Sequence, residues 1–307
     1  MKRMDRLLNP ARRVYAWFLW DLLEHTPRAR DWLLMALGKR HPIFLDYPVK
    51  DQPRYGYGKP PHRKLFEIIE RGRSAYVEHV DYFMSLRDQL VRIPNRMEEP
   101  TIVPAWLNSA LPALDAISIY GFISKYRPKT YLEIGSGQST KFARQAIADS
   151  RFTTRIVSID PEPRAEIDSI CDKIIRAPLE DVDLSVFDTL ERGDILFVDN
   201  SHRCFMNSDV TVVFLDVLPR LKSGVLVGFH DIALPLDYEP AMANRHYSEQ
   251  YLLAVHLLAE GPHTEILFAG AFVSMDRPLH GTLTPVLENP CMSGVSPYGS
   301  AFWLRIC

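Results

Sequence analysis

The sequence predicts an α/β fold: a doubly wound, seven-stranded, mostly parallel sheet preceded by an N-terminal helical extension. Two observations carry this reading. From residue 129 onward short apolar runs alternate with helical stretches, the pattern of a parallel sheet covered on both faces. The first of those runs, Tyr131-Leu132-Glu133-Ile134, ends in Gly135-Ser136-Gly137 ahead of a helix, the strand–turn–helix order of a nucleotide-type ligand site.

Strands are expected near 130–134, 155–160, 173–176, 194–199 and 224–230, and two late ones near 265–274 and 300–306. The late pair is separated by a Pro/Gly-rich stretch that reads as a loop. Ahead of the first strand, Trp106 to Phe122 reads as one amphipathic helix leading into the core, and 63–90 as a helical run. Between them, three prolines and Glu98-Glu99 within 94–104 mark a boundary near 100. The expected organisation is therefore an extension over 1–100 and a main domain over 101–307. Residues 41–62, rich in proline and glycine, form a linker in which Tyr47, Tyr55 and Tyr57 are candidates for a lid.

At the N-terminus, basic residues precede the apolar run Val14 to Trp20, but Asp21 and Glu24 cut it short of the roughly 20 apolar residues that a membrane span needs. No transmembrane segment is expected. An amphipathic helix with Trp17, Trp20 and Leu23 on one face would pack on the main domain or on a second copy, giving a homodimer through the N-terminal helices.

A content of 47% hydrophobic and 11% aromatic residues with a net charge of −2 excludes the disordered class. Basic residues exceed acidic ones only in the first hundred positions, where acids dilute them, so no nucleic-acid partner is expected. Cys171, Cys204, Cys291 and Cys307 form no C-x-x-C pair and read as reduced thiols of a cytoplasmic protein.

In open α/β sheets ligands bind beyond the carboxyl ends of the strands. The first end offers Glu133, Gly135, Ser136, Gly137 and Ser139; the second, Asp160. A carboxylate such as Asp160 accepts two hydrogen bonds well, and Glu133 suits a cationic amino-acid tail. A dinucleotide fingerprint would want glycine or alanine where Thr140 stands, and Glu133 would repel a diphosphate. The order of an acidic residue, any residue and Gly-x-Gly resembles the first motif of the class I S-adenosylmethionine-dependent methyltransferases.

That resemblance covers about 105–307 and implies a Rossmann-like methyltransferase fold closed by an antiparallel strand pair. It implies that Gly135 and Gly137 hug the methionine part of S-adenosylmethionine, that Asp160 binds the ribose hydroxyls, and that Glu180 after strand three meets the adenine amino group. Strands four and five end in Asp199-Asn200-Ser201-His202 and His230-Asp231. Two uses of that cluster stand open. His202 or His230 could deprotonate a substrate hydroxyl. Alternatively Asp199 and Asp231, whose positions resemble those of cation-dependent O-methyltransferases, could hold a divalent metal, with His230 as a departure toward a transition metal or none. Beyond strand five, Tyr238, Arg245 and His246 are candidate contacts to a small-molecule acceptor. The expected activity is methyl transfer to an oxygen of a small molecule or sugar-bearing metabolite. A nicotinamide-dependent oxidoreductase and a non-catalytic binding protein on this fold are the alternatives.

Overall fold

A computed structural model describes residues 49–50, 52–97, 101–163, 165–260 and 264–307. The compact unit considered below runs over Asp51–Cys307. The expected N-terminal amphipathic helix, the dimer contact it would make, and Tyr47 lie outside the described residues.

Seven strands form one sheet: β1 (Thr130–Ile134), β2 (Arg155–Ile159), β3 (Lys173–Ile175), β4 (Ile195–Val198), β5 (Leu226–Phe229), β6 (Thr264–Ala269) and β7 (Phe302–Ile306). Their order is β3-β2-β1-β4-β5-β7-β6. The chain reverses direction across the sheet between β1 and β4, which are parallel neighbours with Tyr131 opposite Ile195. β4 is buried along its whole length and β1 from Tyr131 onward, as expected for central parallel strands whose sequences are apolar runs. β7 alone runs antiparallel, between β5 and β6.

Gly228 in β5 shows why that closure fits. A Cβ there would come within 2.7 Å of the Phe197 ring and 3.0 Å of Trp303. Trp303 in turn stacks on Phe122 at 4.2 Å and donates its indole N–H to Ser118 Oγ.

Helices flank the sheet: α1 (Arg63–Glu70), α2 (Arg73–Ser85), α3 (Arg87–Leu90), α4 (Ala113–Tyr126), α5 (Gln138–Ser150), α6 (Asp209–Val212) and α7 (Glu249–Leu258). Tyr76 and Phe83 of α2 are fully buried and pack edge-on against Phe268 of β6. Residues 63–93 therefore share the main core, and the compact unit begins at Asp51 where sequence placed its boundary near 100.

Three other expectations shift. The helix read over Trp106 to Phe122 begins only at Ala113, because Asn108 Oδ1 accepts the N–H groups of Ala110 and Leu111 and holds the preceding segment as a loop. The strand expected over 265–274 ends at Ala269, and Gly270–Met275 is helical. The stretch after it, read as a loop, contains the short helices Arg277–Thr282 and Thr284–Leu287, whose prolines sit in the first turn where no N–H is needed. Among the described residues no helix is long and apolar enough to cross a membrane.

Candidate active site

The carboxyl ends of β1, β2, β4 and β5 open onto one cavity of ≈ 960 Å³. Gly135, Ser136, Gly137, Asp160 and Glu180 line one part of it, and Asp199, His202, His230 and Asp231 another.

The glycine loop is held by its neighbours. Gly135 has φ +79° and donates its N–H to Ile159 O. A Cβ at Gly135 would stand 1.7 Å from the carbonyl oxygen of Asp199, so the first requirement for glycine is the β4 backbone and not a ligand. Gly137 differs: nothing lies within 4 Å of its Cβ position, which leaves room for a ligand beside it. Asp160 Oδ2 accepts the N–H of Ser136 and Oδ1 that of Glu162, both at 2.7 Å, so the end of β2 braces the loop of β1.

Glu133 and Ser139 do not line the cavity. Glu133 is fully buried beneath the loop, where it accepts the hydroxyls of Tyr131 at 3.1 Å and of Thr140, whose Oγ1 also receives the Gly137 N–H. Burial raises the Glu133 carboxyl to about 8 although Ser139, Thr140 and Tyr131 hydrogen-bond to it. A neutral, inward-facing acid is a brace for the loop, and Ser139 belongs to the same buried set.

At the ends of β4 and β5 two imidazoles alternate with four carboxylates. His202 is 4% exposed in its side chain; its Nδ1 lies 2.8 Å from Glu249 Oε2 and its Nε2 3.3 Å from Asp199 Oδ1 and 3.6 Å from Asp231 Oδ2. His230 Nδ1 lies 3.2 Å from the same Asp199 oxygen and 3.6 Å from Asp231 Oδ1, and its Nε2 lies 3.2 Å from Asp115 Oδ2. His202 and Asp231 both have positive φ, a conformation that non-glycine residues keep only where the surroundings impose it and that concentrates at functional sites.

Burial works against charging either imidazole, yet the carboxylates outweigh it: Asp199 and Glu249 push His202 up to about 10, and Asp199, Asp231 and Asp115 raise His230 well above the usual range. Conversely, although burial opposes its ionisation, His230 and His202 hold Asp199 well below the usual carboxylate range. Both imidazoles thus lie above the ordinary value that the sequence reading took for a histidine base.

Residues 132–232 match a family model described as a methyltransferase domain. The stretch from β1 to the end of β5 is thus similar to a methyltransferase domain. An uncharacterized protein of Archaeoglobus fulgidus is 35% identical over 96 residues, which cover 29% of this chain and 42% of that protein. The chain thus spans less than half the length of that relative. Similar solved structures include the SAH-bound Podospora anserina methyltransferase PaMTH1, at 17% identity over 76% of this chain and 88% of that one with a TM-score of 0.40. The plantazolicin methyltransferase BpumL in complex with a pentazolic desmethylPZN analog and SAH is 14% identical over 78% of this chain and 98% of that one, with a TM-score of 0.40.

Beyond the matched stretch the candidates for contact with an acceptor separate. Arg245 lines the cavity together with Tyr247, to whose hydroxyl it donates at 2.9 Å. Tyr238 does not: its ring packs against Tyr247 and Tyr251 and its hydroxyl accepts the Gln250 N–H. His246, left-handed at the end of the 3-10 turn Pro240–Arg245, is exposed and off the cavity. Tyr55 and Tyr57, the lid candidates, are tied to Asp237: the Tyr55 N–H donates to its carboxylate and the Tyr57 hydroxyl to its carbonyl. Sequence reasoning missed Asp115 at the imidazole cluster and the Trp106–Pro112 wall of the cavity. An acid in the first turn of an otherwise apolar helix, with Ser118 one turn on, was the available signal.

Proposed function

We propose that the chain transfers a methyl group from S-adenosylmethionine to an oxygen of a small molecule, sugar-bearing metabolites included. The carrying observation is the single cavity of ≈ 960 Å³ on which the glycine loop and the imidazole–carboxylate cluster both open. That volume stands at the top of the roughly 300–1,000 Å³ range of ligand pockets and suits a cofactor with an acceptor beside it. Gly137 and Ser136 would border the methionine part. Each Asp160 oxygen spends one lone pair on a backbone N–H and keeps another for a ribose hydroxyl. Glu180 at the rim suits the adenine amino group. The carboxylates of the lining favour a cationic sulfonium over a diphosphate.

Transfer breaks the methyl carbon–sulfur bond and forms a carbon–oxygen bond, the sulfur keeping the electron pair while the acceptor oxygen gives up its proton. Positioning the oxygen in line supplies much of the acceleration. Asp199 and Asp231, half-buried at adjacent strand ends, would orient the acceptor hydroxyl, and Arg245 with Tyr247 would meet the rest of the acceptor. The side chains of Asp199, His202 and His230 bring three ligand atoms within 4.8 Å of one another, so they fit a divalent cation, with Asp231 beside them. Such a cation would supply Lewis acidity that lowers the pKa of the acceptor hydroxyl. The unpaired thiols of Cys171, Cys204, Cys291 and Cys307 suit a reducing, cytoplasmic setting.

Incubation with methyl-tritiated S-adenosylmethionine and a panel of phenols, catechols and glycosides should move label into at least one acceptor class. Hydride exchange with a nicotinamide cofactor, and no labelled acceptor, would place the chain among oxidoreductases.

A further inference from the structure

We propose that Asp115 and Glu249 are positioning residues that turn this site into a centre for a first-row transition metal in preference to magnesium. The inference rests on the cation site named above and extends it to two residues outside the cavity lining.

Asp115, from the first turn of α4, and Glu249, from the first turn of α7, are both fully buried. Each faces the outward nitrogen of one imidazole: Asp115 Oδ2 is 3.2 Å from His230 Nε2, and Glu249 Oε2 is 2.8 Å from His202 Nδ1. Glu249 thereby hydrogen-bonds His202 Nδ1, whereas His230 Nε2 stands within ion-pair distance of Asp115 without a hydrogen bond; His202 Nε2 and His230 Nδ1 both face Asp199 and Asp231. A carboxylate behind each histidine is the usual outer partner of a metal-bound imidazole, because it fixes the ring and raises the basicity of the facing nitrogen.

The inner spacings point the same way. The four separations between the facing nitrogens and the carboxylates of Asp199 and Asp231 are 3.2, 3.3, 3.6 and 3.6 Å. Charge-assisted hydrogen bonds are shorter, about 2.7–2.9 Å. Donors placed tetrahedrally about an ion at about 2.1 Å would stand about 3.4 Å apart. Two imidazoles among four donors suit zinc, cobalt or iron, whereas magnesium prefers an all-oxygen shell with several waters. Strain agrees: two of the four donor residues, His202 and Asp231, are held at positive φ.

Asp115 also accepts the N–H groups of Ser300 and Ala301 through Oδ1. Asp115→Asn keeps that oxygen and presents an amide N–H₂ to His230, so it removes the acceptor facing the imidazole, at the cost of the Ser300 hydroxyl contact to Oδ2, while keeping both backbone contacts. Glu249→Gln is the independent variant.

The test titrates cobalt(II), then magnesium, into chelator-treated, tag-free full-length protein, following visible absorption and heat. Expected are one cobalt per chain with intense tetrahedral d–d bands and affinity at least tenfold above that for magnesium. Glu249→Gln and Asp115→Asn should each weaken cobalt 10- to 100-fold and alter the bands, with S-adenosylhomocysteine affinity unchanged. Should Asp115→Asn fail to fold, Glu249→Gln decides alone. Equal binding of cobalt and magnesium, absence of the bands, or a Glu249→Gln protein with the wild-type spectrum and affinity would overturn the proposal. Loss of S-adenosylhomocysteine binding in the wild type would instead strike the cofactor reading and leave the metal result standing.

Discussion

The α-carbon of Gly135 faces the carbonyl of Asp199 so closely that a Cβ would stand 1.7 Å from that oxygen. The loop after β1 and the strand end that carries the imidazole cluster are thus in backbone contact, and the two halves of the cavity share one support. Gly135→Ala should destabilise the fold by ~3 kcal/mol, combining a positive-φ penalty with displacement of β4. Gly137→Ala meets nothing within 4 Å and should leave thermal unfolding within a degree or two of wild type. Its methyl group would project beside the cofactor loop, so S-adenosylhomocysteine affinity should fall at least fivefold. Equal unfolding temperatures for the two variants would contradict this division.

Glu133 supplies a pH prediction. Burial raises its folded pKa to about 8 from the ordinary carboxyl value of 4.5. Because the native state then binds the proton more tightly, this group's contribution to stability is complete below the unfolded value and is lost as pH rises through about 8. Glu133→Gln keeps a neutral side chain of the same shape without the titration. Urea unfolding at about pH 5 and about pH 9 should show the wild type losing a few kcal/mol relative to the variant over that interval. Parallel stability profiles would mean that Glu133 is ionised in the fold.

Arg245 lines the cavity from the 3-10 turn after β5, far along the chain from the glycine loop. Once an acceptor is in hand, Arg245→Ala should raise its KM severalfold and leave S-adenosylhomocysteine affinity unchanged. A change in cofactor affinity alone would move Arg245 to the other half of the cavity.

β1, β2 and β4 were legible because each is an apolar run closed by glycine or by an acid, and the residues at the strand ends were legible because the chemistry of such sheets gathers there. Asp199 and His202 lie three positions apart and His230 and Asp231 are adjacent, so two strand ends sufficed to name them. Asp115 and Glu249 were not legible as partners. Each starts a helix distant from its imidazole in sequence, and an acid in the first helical turn is ordinarily explained by the helix dipole. Glu133 was legible as an acid before the glycines but not as a buried one, since its orientation depends on Thr140 capping the loop from α5. The prolines of 277–290 misled in the opposite direction, because at the first turn of a helix proline is tolerated and only in its interior does it break the helix.

The central claim is that S-adenosylmethionine binds at the loop braced by Asp160. Calorimetric titration of S-adenosylhomocysteine into wild type and Asp160→Ala tests it most directly. The account predicts a micromolar constant, about −8 kcal/mol, for the wild type and a loss of at least tenfold, ~1.4 kcal/mol, in the variant. No heat of binding to the folded wild type, or equal affinity in the two proteins, would contradict it.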